Sequence, residues 1–121
     1  MSIDVLVLLI FLQIKHWYVD FVNQSMEEVA SKGIYGDRAG INHSAKHALA
    51  TFCCIAVVAG PAYIAIAIAL ALFDLLTHYH IDWVKMNYGN RDIQNPTFWN
   101  HLGLDQMAHQ LVYLLIAAMM P

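Results

Sequence analysis

Four apolar segments, each carrying a pair of ionisable residues four positions apart, constrain this chain more than any other feature. They run from Ile3 to about Asn23, from about His43 to Ala59, from Pro61 to about Met86, and from about Leu104 to Met120. A membrane-spanning helix needs about 20 apolar residues, or about 17 at the short end, so each segment predicts one span. Apolarity is continuous from Ala48 to Leu76, which is too long for one span, and Gly60-Pro61 in its middle predicts a tight hairpin. Hydrophobic residues make up 60% of the chain and charged residues 12%, against about 45–50% and 25% in soluble domains. The apolar start, Met1–Ile14, lacks the charged region and the small-residue cleavage site of a secretory signal, and is expected to stay as a helix.

Charge sets the expected orientation. Lys15, Lys32, Arg38, Lys46, Lys85 and Arg91 all fall on the side of the first and third connections. The positive-inside rule then predicts an integral inner (plasma) membrane protein with that side in the cytoplasm and both termini outside. Trp17, Tyr18, Tyr35, Trp83, Tyr88 and Trp99 lie at the same end, like an interfacial aromatic belt. A net charge of −3 without a basic stripe argues against a nucleic-acid partner. Cys53 and Cys54 are adjacent and form no C-x-x-C, so both read as small apolar core residues rather than a disulfide framework.

The chain repeats itself. His16-Trp-Tyr-Val-Asp20-Phe-Val parallels His78-Tyr-His-Ile-Asp82-Trp-Val at an offset of 62 residues (78 − 16 and 82 − 20). The same offset carries His43 onto Asp105 and His47 onto His109 without a gap. The expected fold class is therefore all-α: a four-helix transmembrane bundle forming one domain over residues 1–121. It would be built from two parallel two-helix repeats, 1–59 and 60–121, with the functional site at their interface.

Eight residues make up the candidate site: His16, Asp20, His43, His47, His78, Asp82, Asp105 and His109. Spacing of i, i+4 puts each pair on one helix face, and a rise of about 1.5 Å per residue brings all four pairs to the cytoplasmic third of the bundle. An ionisable group at the bilayer centre costs roughly 2.5–3.5 kcal/mol, so such groups face the interior and pair or bind an ion. Imidazole and carboxylate suit Zn, Mn or Fe, and four facing helices can supply two ions. Asp74 extends the same face of the third segment, and Gln24 and Gln106 adjoin the motifs as candidate donors to ligands. Lys46 and Lys85 read as snorkelling anchors that could also meet a substrate phosphate. His80 and His101 read as surface residues, and Glu27, Glu28, Asp37 and Asp92 as a solvated loop face. Gly33, Gly36 and Gly40 suggest a mobile first loop able to act as a lid.

These residues resemble small bacterial and phage membrane proteins of uncharacterised function. That family carries H-x3-D-F-x-x-Q, a His-containing second helix, H-x3-D-x-x-K and D-Q-x-x-H. Here the motifs are His16–Asp20-Phe21–Gln24, then His43 and His47, then His78–Asp82–Lys85, then Asp105-Gln106–His109. A looser similarity links them to inner-membrane metal-dependent hydrolases, which also place H-x3-D and paired-His motifs at helix ends but have longer loops and a further acidic motif.

The expected function is hydrolysis of a phosphorylated or lipid-like substrate by a dinuclear divalent metal site. Two ions about 3.5–4 Å apart polarise a phosphoryl or acyl oxygen and lower the pKa of water to about 7. Asp20, Asp82 and Asp105 would bridge or cap the ions, and any spare carboxylate would be the general base. The rival readings are a divalent-cation or proton transporter using Asp74 and His78, a di-iron oxidase suggested by His43/His47, and a structural protein with a self-paired His–Asp network. The alternating small residues of Ala65–Ala71 would allow close helix contact within one chain or in a homo-oligomer.

Overall fold

In a computed structural model that describes residues 3–121, the described residues form five α-helices and no strand. Residues 1 and 2 of the expected domain and apolar start lie outside that range. Helix α1 (Ile3–Trp17) continues into a π-helical stretch, Tyr18–Val22, and α2 (Met26–Ser31) is short. Helix α3 (Arg38–Ala59) leads through a 3-10 turn, Pro61–Tyr63, into α4 (Ile64–Tyr88), and α5 (Pro96–Ala118) follows. Helix α3 packs on α1 and α4, and α5 packs on α4 and α1, which closes a four-helix ring with α2 laid against α3.

Capping explains where the helices depart from the expected bounds. Helix α3 begins at Arg38 rather than near His43 because the Asp37 side chain accepts the Ala39 amide at 2.9 Å. Helix α5 begins at Pro96 rather than near Leu104, with Asn95 accepting the Thr97 amide at 2.9 Å and proline at the first helical position. Helix α2 was not expected, and a capping box starts it: Ser25 Oγ accepts the Glu28 amide at 3.1 Å, and the Ser25 amide donates to Glu28 Oε2 at 2.9 Å.

Two helical stretches are long and apolar enough to cross a membrane, Asp4–Val22 and Pro61–Tyr88. The first halves of α3 and α5 are polar, with Asn42, His43, Lys46 and His47 on one and His101, Asp105, Gln106 and His109 on the other. Large apolar side chains nevertheless face outward on all four long helices. Ile10 and Ile14 do so on α1, Leu49 and Val57 on α3, Leu72 and Leu76 on α4, and Leu111 and Leu114 on α5. The interior combines an apolar part (Leu8, Leu12, Ile55, Leu70, Val112, Ile116) with buried lysine, histidine and aspartate. Cys53 departs from the expected core placement, since it is exposed on α3, and Cys54 is half-buried. Of the small-residue run, Ala67 and Ala71 are buried inside the chain.

The hairpin between α3 and α4 turns at Gly60, whose φ of 81° and ψ of 179° lie in a region that only glycine occupies readily. Gly60→Ala is expected to lower stability by about 1–3 kcal/mol, read as a lower denaturation midpoint in detergent.

A candidate metal centre

The π-helical stretch ends the first helix, with the Asn23 amide donating to Tyr18 O at 2.7 Å. Such turns recur at functional sites, and this one carries Asp20. Asp20 Oδ1 accepts from His43 Nε2 and His47 Nε2, each at 2.9 Å. One turn apart on α4, His78 and Asp82 face the same interior. Asp82 Oδ2 lies 3.3 Å from His78 Nε2 and 3.5 Å from His43 Nε2, and those two nitrogens are 3.3 Å apart. Asp82 Oδ1 lies 3.4 Å from His109 Nε2, which is 3.5 Å from Asp105 Oδ1. Two groups result, Asp20/His43/His47/His78 and His78/Asp82/His109, with the ligand atoms of each within 4.8 Å of one another. The 62-residue offset maps Asp20 and His47 (2.9 Å) onto Asp82 and His109 (3.4 Å).

This geometry could hold a metal ion. Ligands about 2.0–2.1 Å from a tetrahedral ion lie about 3.3–3.4 Å from each other. The triangle of His43 Nε2, His78 Nε2 and Asp82 Oδ2 has edges of 3.3, 3.3 and 3.5 Å. Both oxygens of Asp82, Asp105 Oδ1 and His109 Nε2 are buried with no hydrogen-bond partner. Each unsatisfied buried group costs about 1–3 kcal/mol, and a cation satisfies acceptors of this kind. Asp82 Oδ2 also faces Lys32 Nζ at 3.1 Å, an ion pair without hydrogen-bond alignment.

Six of the eight expected ligands enter these groups, and two do not. Both ring nitrogens of His16 are engaged, Nδ1 with Tyr113 Oη at 2.8 Å and Nε2 with Gln106 Oε1 at 2.9 Å. Asp105 lies beside the second group, with Lys85 and Gln106 donating to its Oδ2 at 2.9 and 3.0 Å. Asp74 is outside the cluster because it accepts from Lys15 at 2.7 Å and Thr51 at 2.5 Å. The Gln24 amide donates to the backbone carbonyl of Asp20 one turn back, at 2.7 Å, and not to a ligand side chain. Lys15 Nζ also lies 3.2 Å from His47 Nδ1. A lysine donating there leaves the ring hydrogen on Nε2, facing Asp20, so ligation by His47 would displace that proton. His43 and His78, whose Nδ1 atoms have no hydrogen-bond partner, are freer ligands.

Sequence reasoning missed Lys15, Lys32, Glu28, Thr51 and Tyr113. Lys15 and Asp74 had a signal, since they are opposite charges inside two apolar segments, and neither is exposed in the fold. Glu28 and Lys32 had none, because the repeat gives them no counterpart. Far from solvated, Glu28 accepts from Lys46 at 2.9 Å and approaches His43 Nδ1 at 3.9 Å. Burial disfavours its charged form, but the hydrogen bonds from Lys46 and the Ser25 amide outweigh that and hold its carboxyl below the usual range. The first loop, expected to be a mobile lid, is instead tied down: Asn87 donates to Gly33 O at 3.0 Å, and the Gly36 amide to Tyr79 Oη at 2.7 Å. His80 is exposed and binds its own helix through the Leu76 carbonyl at 2.6 Å. His101 is half-buried, accepting the Asn90 amide at 2.8 Å.

A helical ring closed over a polar His–Asp interior defines the class: an all-α protein with buried groups that could hold a metal ion. Residues 7–121 match the family described as "Protein of unknown function (DUF3307)", and the chain belongs to that family. No curated protein and no solved structure matches it.

Proposed function

We propose that this chain is a membrane-embedded, metal-dependent hydrolase acting at a membrane face on a phosphorylated or lipid-like substrate. The geometry around Asp82 carries the proposal. Its Oδ2 lies 3.3 and 3.5 Å from the buried Nε2 atoms of His78 and His43, its Oδ1 lies 3.4 Å from His109 Nε2, and neither oxygen has a hydrogen-bond partner. Asp20, His43, His78, Asp82 and His109 would hold the metal, with His47 joining once its ring proton leaves. A divalent ion in such a site supplies Lewis acidity and a nucleophile at neutral pH. Asp105, with its unpartnered Oδ1, is the carboxylate left to take a proton from water.

The outward apolar faces of all four long helices support an embedded bundle, with His43 and His47 of α3 and Asp105 and His109 of α5 turned to the interior and Asn42 and Asn100 exposed toward the cluster end. Lys32, Arg38, Lys46, Lys85 and Arg91 remain at the cluster end even though Lys15 is spent inside the bundle, which favours a cytoplasmic site with both termini outside. A cavity of about 420 Å³ between α4 and α5 supports the substrate class. Ile81, Val84, Leu104 and Ala108 give it an apolar wall for an acyl chain, and Lys85 and Asp105 line it beside His109. The apolar packing of Leu8, Leu12, Ile55, Leu70 and Ile116 favours an enzyme over a through-membrane polar path.

Elemental analysis of the detergent-purified protein tests this. One or two equivalents of Zn, Mn or Fe are expected, lost in His47→Ala/His109→Ala, together with metal-dependent phosphate release from lipid phosphates in micelles. Ala108→Trp, which fills the groove, should cut turnover by about 10²-fold and leave metal content unchanged. Protein that binds no metal even after reconstitution would rule the proposal out.

A further inference from the structure

The lysines of the cluster end differ in how they are held. Lys15 donates to Asp74 at 2.7 Å, Lys85 to Asp105 at 2.9 Å and Lys46 to Glu28 at 2.9 Å. Lys32 is different. It follows α2, its side chain is buried, and its ammonium stands 3.1 Å from Asp82 Oδ2 and 3.8 Å from Asp20 Oδ1. It makes only a charge contact there, since Asp82 Oδ2 has no hydrogen-bond partner. Asp20 belongs to one ligand group and Asp82 to the other. Lys32 therefore puts a positive charge between the two carboxylates that a metal ion would use.

Charge balance says what should happen when a metal binds. With Lys15–Asp74, Lys46–Glu28 and Lys85–Asp105 each self-neutralised, Asp20 and Asp82 carry two negative charges and Lys32 one positive charge. A divalent ion alone balances the two carboxylates. A divalent ion together with Lys32 leaves excess positive charge in a buried site, where like charges a few ångströms apart repel strongly. We infer that Lys32 is a tethered cation competing with the metal for the Asp20–Asp82 position, and that metal loading expels it. This rests on the metal-binding reading above. It gives the residue after α2 a role: the Lys32 side chain occupies the place between the two carboxylates and must swing out when a metal enters.

The sign of one effect tests the inference. Zn2+ and Mn2+ affinities of the full chain in detergent are measured by competition with a chromophoric chelator, for the parent, Lys32→Met and Lys32→Arg. Lys32→Met, similar in length but uncharged, should bind about tenfold more tightly or better, while Lys32→Arg should not gain. A Lys32→Met variant that stays helical and monodisperse but binds equally or more weakly would make Lys32 a support for Asp82, overturning the inference and leaving the metal reading intact. Absence of binding in every protein would overturn both. A second measurement needs no variant: amine-reactive labelling of Lys32 in the parent, followed by mass spectrometry, should rise on saturation with Zn2+. Labelling that stays the same in protein shown to hold the metal would also overturn the inference.

Discussion

Asp82→Asn is expected to abolish metal binding, lowering affinity by about 100-fold or more. Asparagine keeps the shape of the side chain but removes the charge and one acceptor oxygen. His78 is the residue the two ligand groups share, and Asp82 is the carboxylate that faces nitrogens of both: its Oδ2 lies 3.5 and 3.3 Å from His43 and His78, and its Oδ1 lies 3.4 Å from His109. Removing it also leaves Lys32 without its nearer carboxylate, so instability could imitate loss of the site. Asp82→Asn/Lys32→Met separates the two effects, because it removes the stranded lysine while leaving the ligand set broken. It should fold and still lack metal. By contrast, Asp105→Asn should keep the metal and lose about 10²–10⁴-fold in turnover, as expected of a general base. Elemental analysis and circular dichroism on the same preparations decide the outcome. Asp82→Asn that retains the parent's metal content would move the site away from this carboxylate.

The second large effect concerns stability. Asp74→Ala should destabilise the fold by about 3–5 kcal/mol, because it leaves the Lys15 ammonium buried without its counter-ion. The pair is almost wholly enclosed, with side-chain exposures of 6% for Lys15 and 2% for Asp74. Lys15 adds a contact over the Tyr113 ring, 4.6 Å from its centroid. Replacing both partners by apolar residues, as in Lys15→Met/Asp74→Leu, should recover most of the loss, since a buried ion pair seldom outperforms good apolar packing. Chemical denaturation in detergent provides the measurement. A loss in Asp74→Ala smaller than about 0.5 kcal/mol would mean that water or lipid headgroups reach Lys15. It would also revive the reading in which Asp74 belongs to an ion path.

The two effects separate what spacing can reveal from what it cannot. His16, Asp20, His43, His47, His78, Asp82, Asp105 and His109 stood out because their positions recur at one offset, and all eight are buried. Recurrence could not say that His16 would spend both nitrogens on Tyr113 and Gln106, since Tyr113 lies 97 positions away. Asp74 looked like an extension of the His78 face, which it is, but its partner comes from a helix 59 positions earlier. Glu28 looked solvated because its neighbours are polar, and only the docking of α2 on α3 shows that it is enclosed.

Local chemistry alone determined the helical character, the break at Gly60-Pro61 and the set of polar side chains turned inward. Helix periodicity, glycine backbone freedom and the aversion of apolar surroundings for unpaired charge act within a few residues of chain. The tertiary structure decided which oxygen meets which nitrogen, where Lys15 and Lys32 end, and that α2 closes over the cluster. Those outcomes depend on how the helices are rotated and crossed against one another. A shift of one helix face would give every carboxylate a different partner while leaving the spacing in the sequence unchanged.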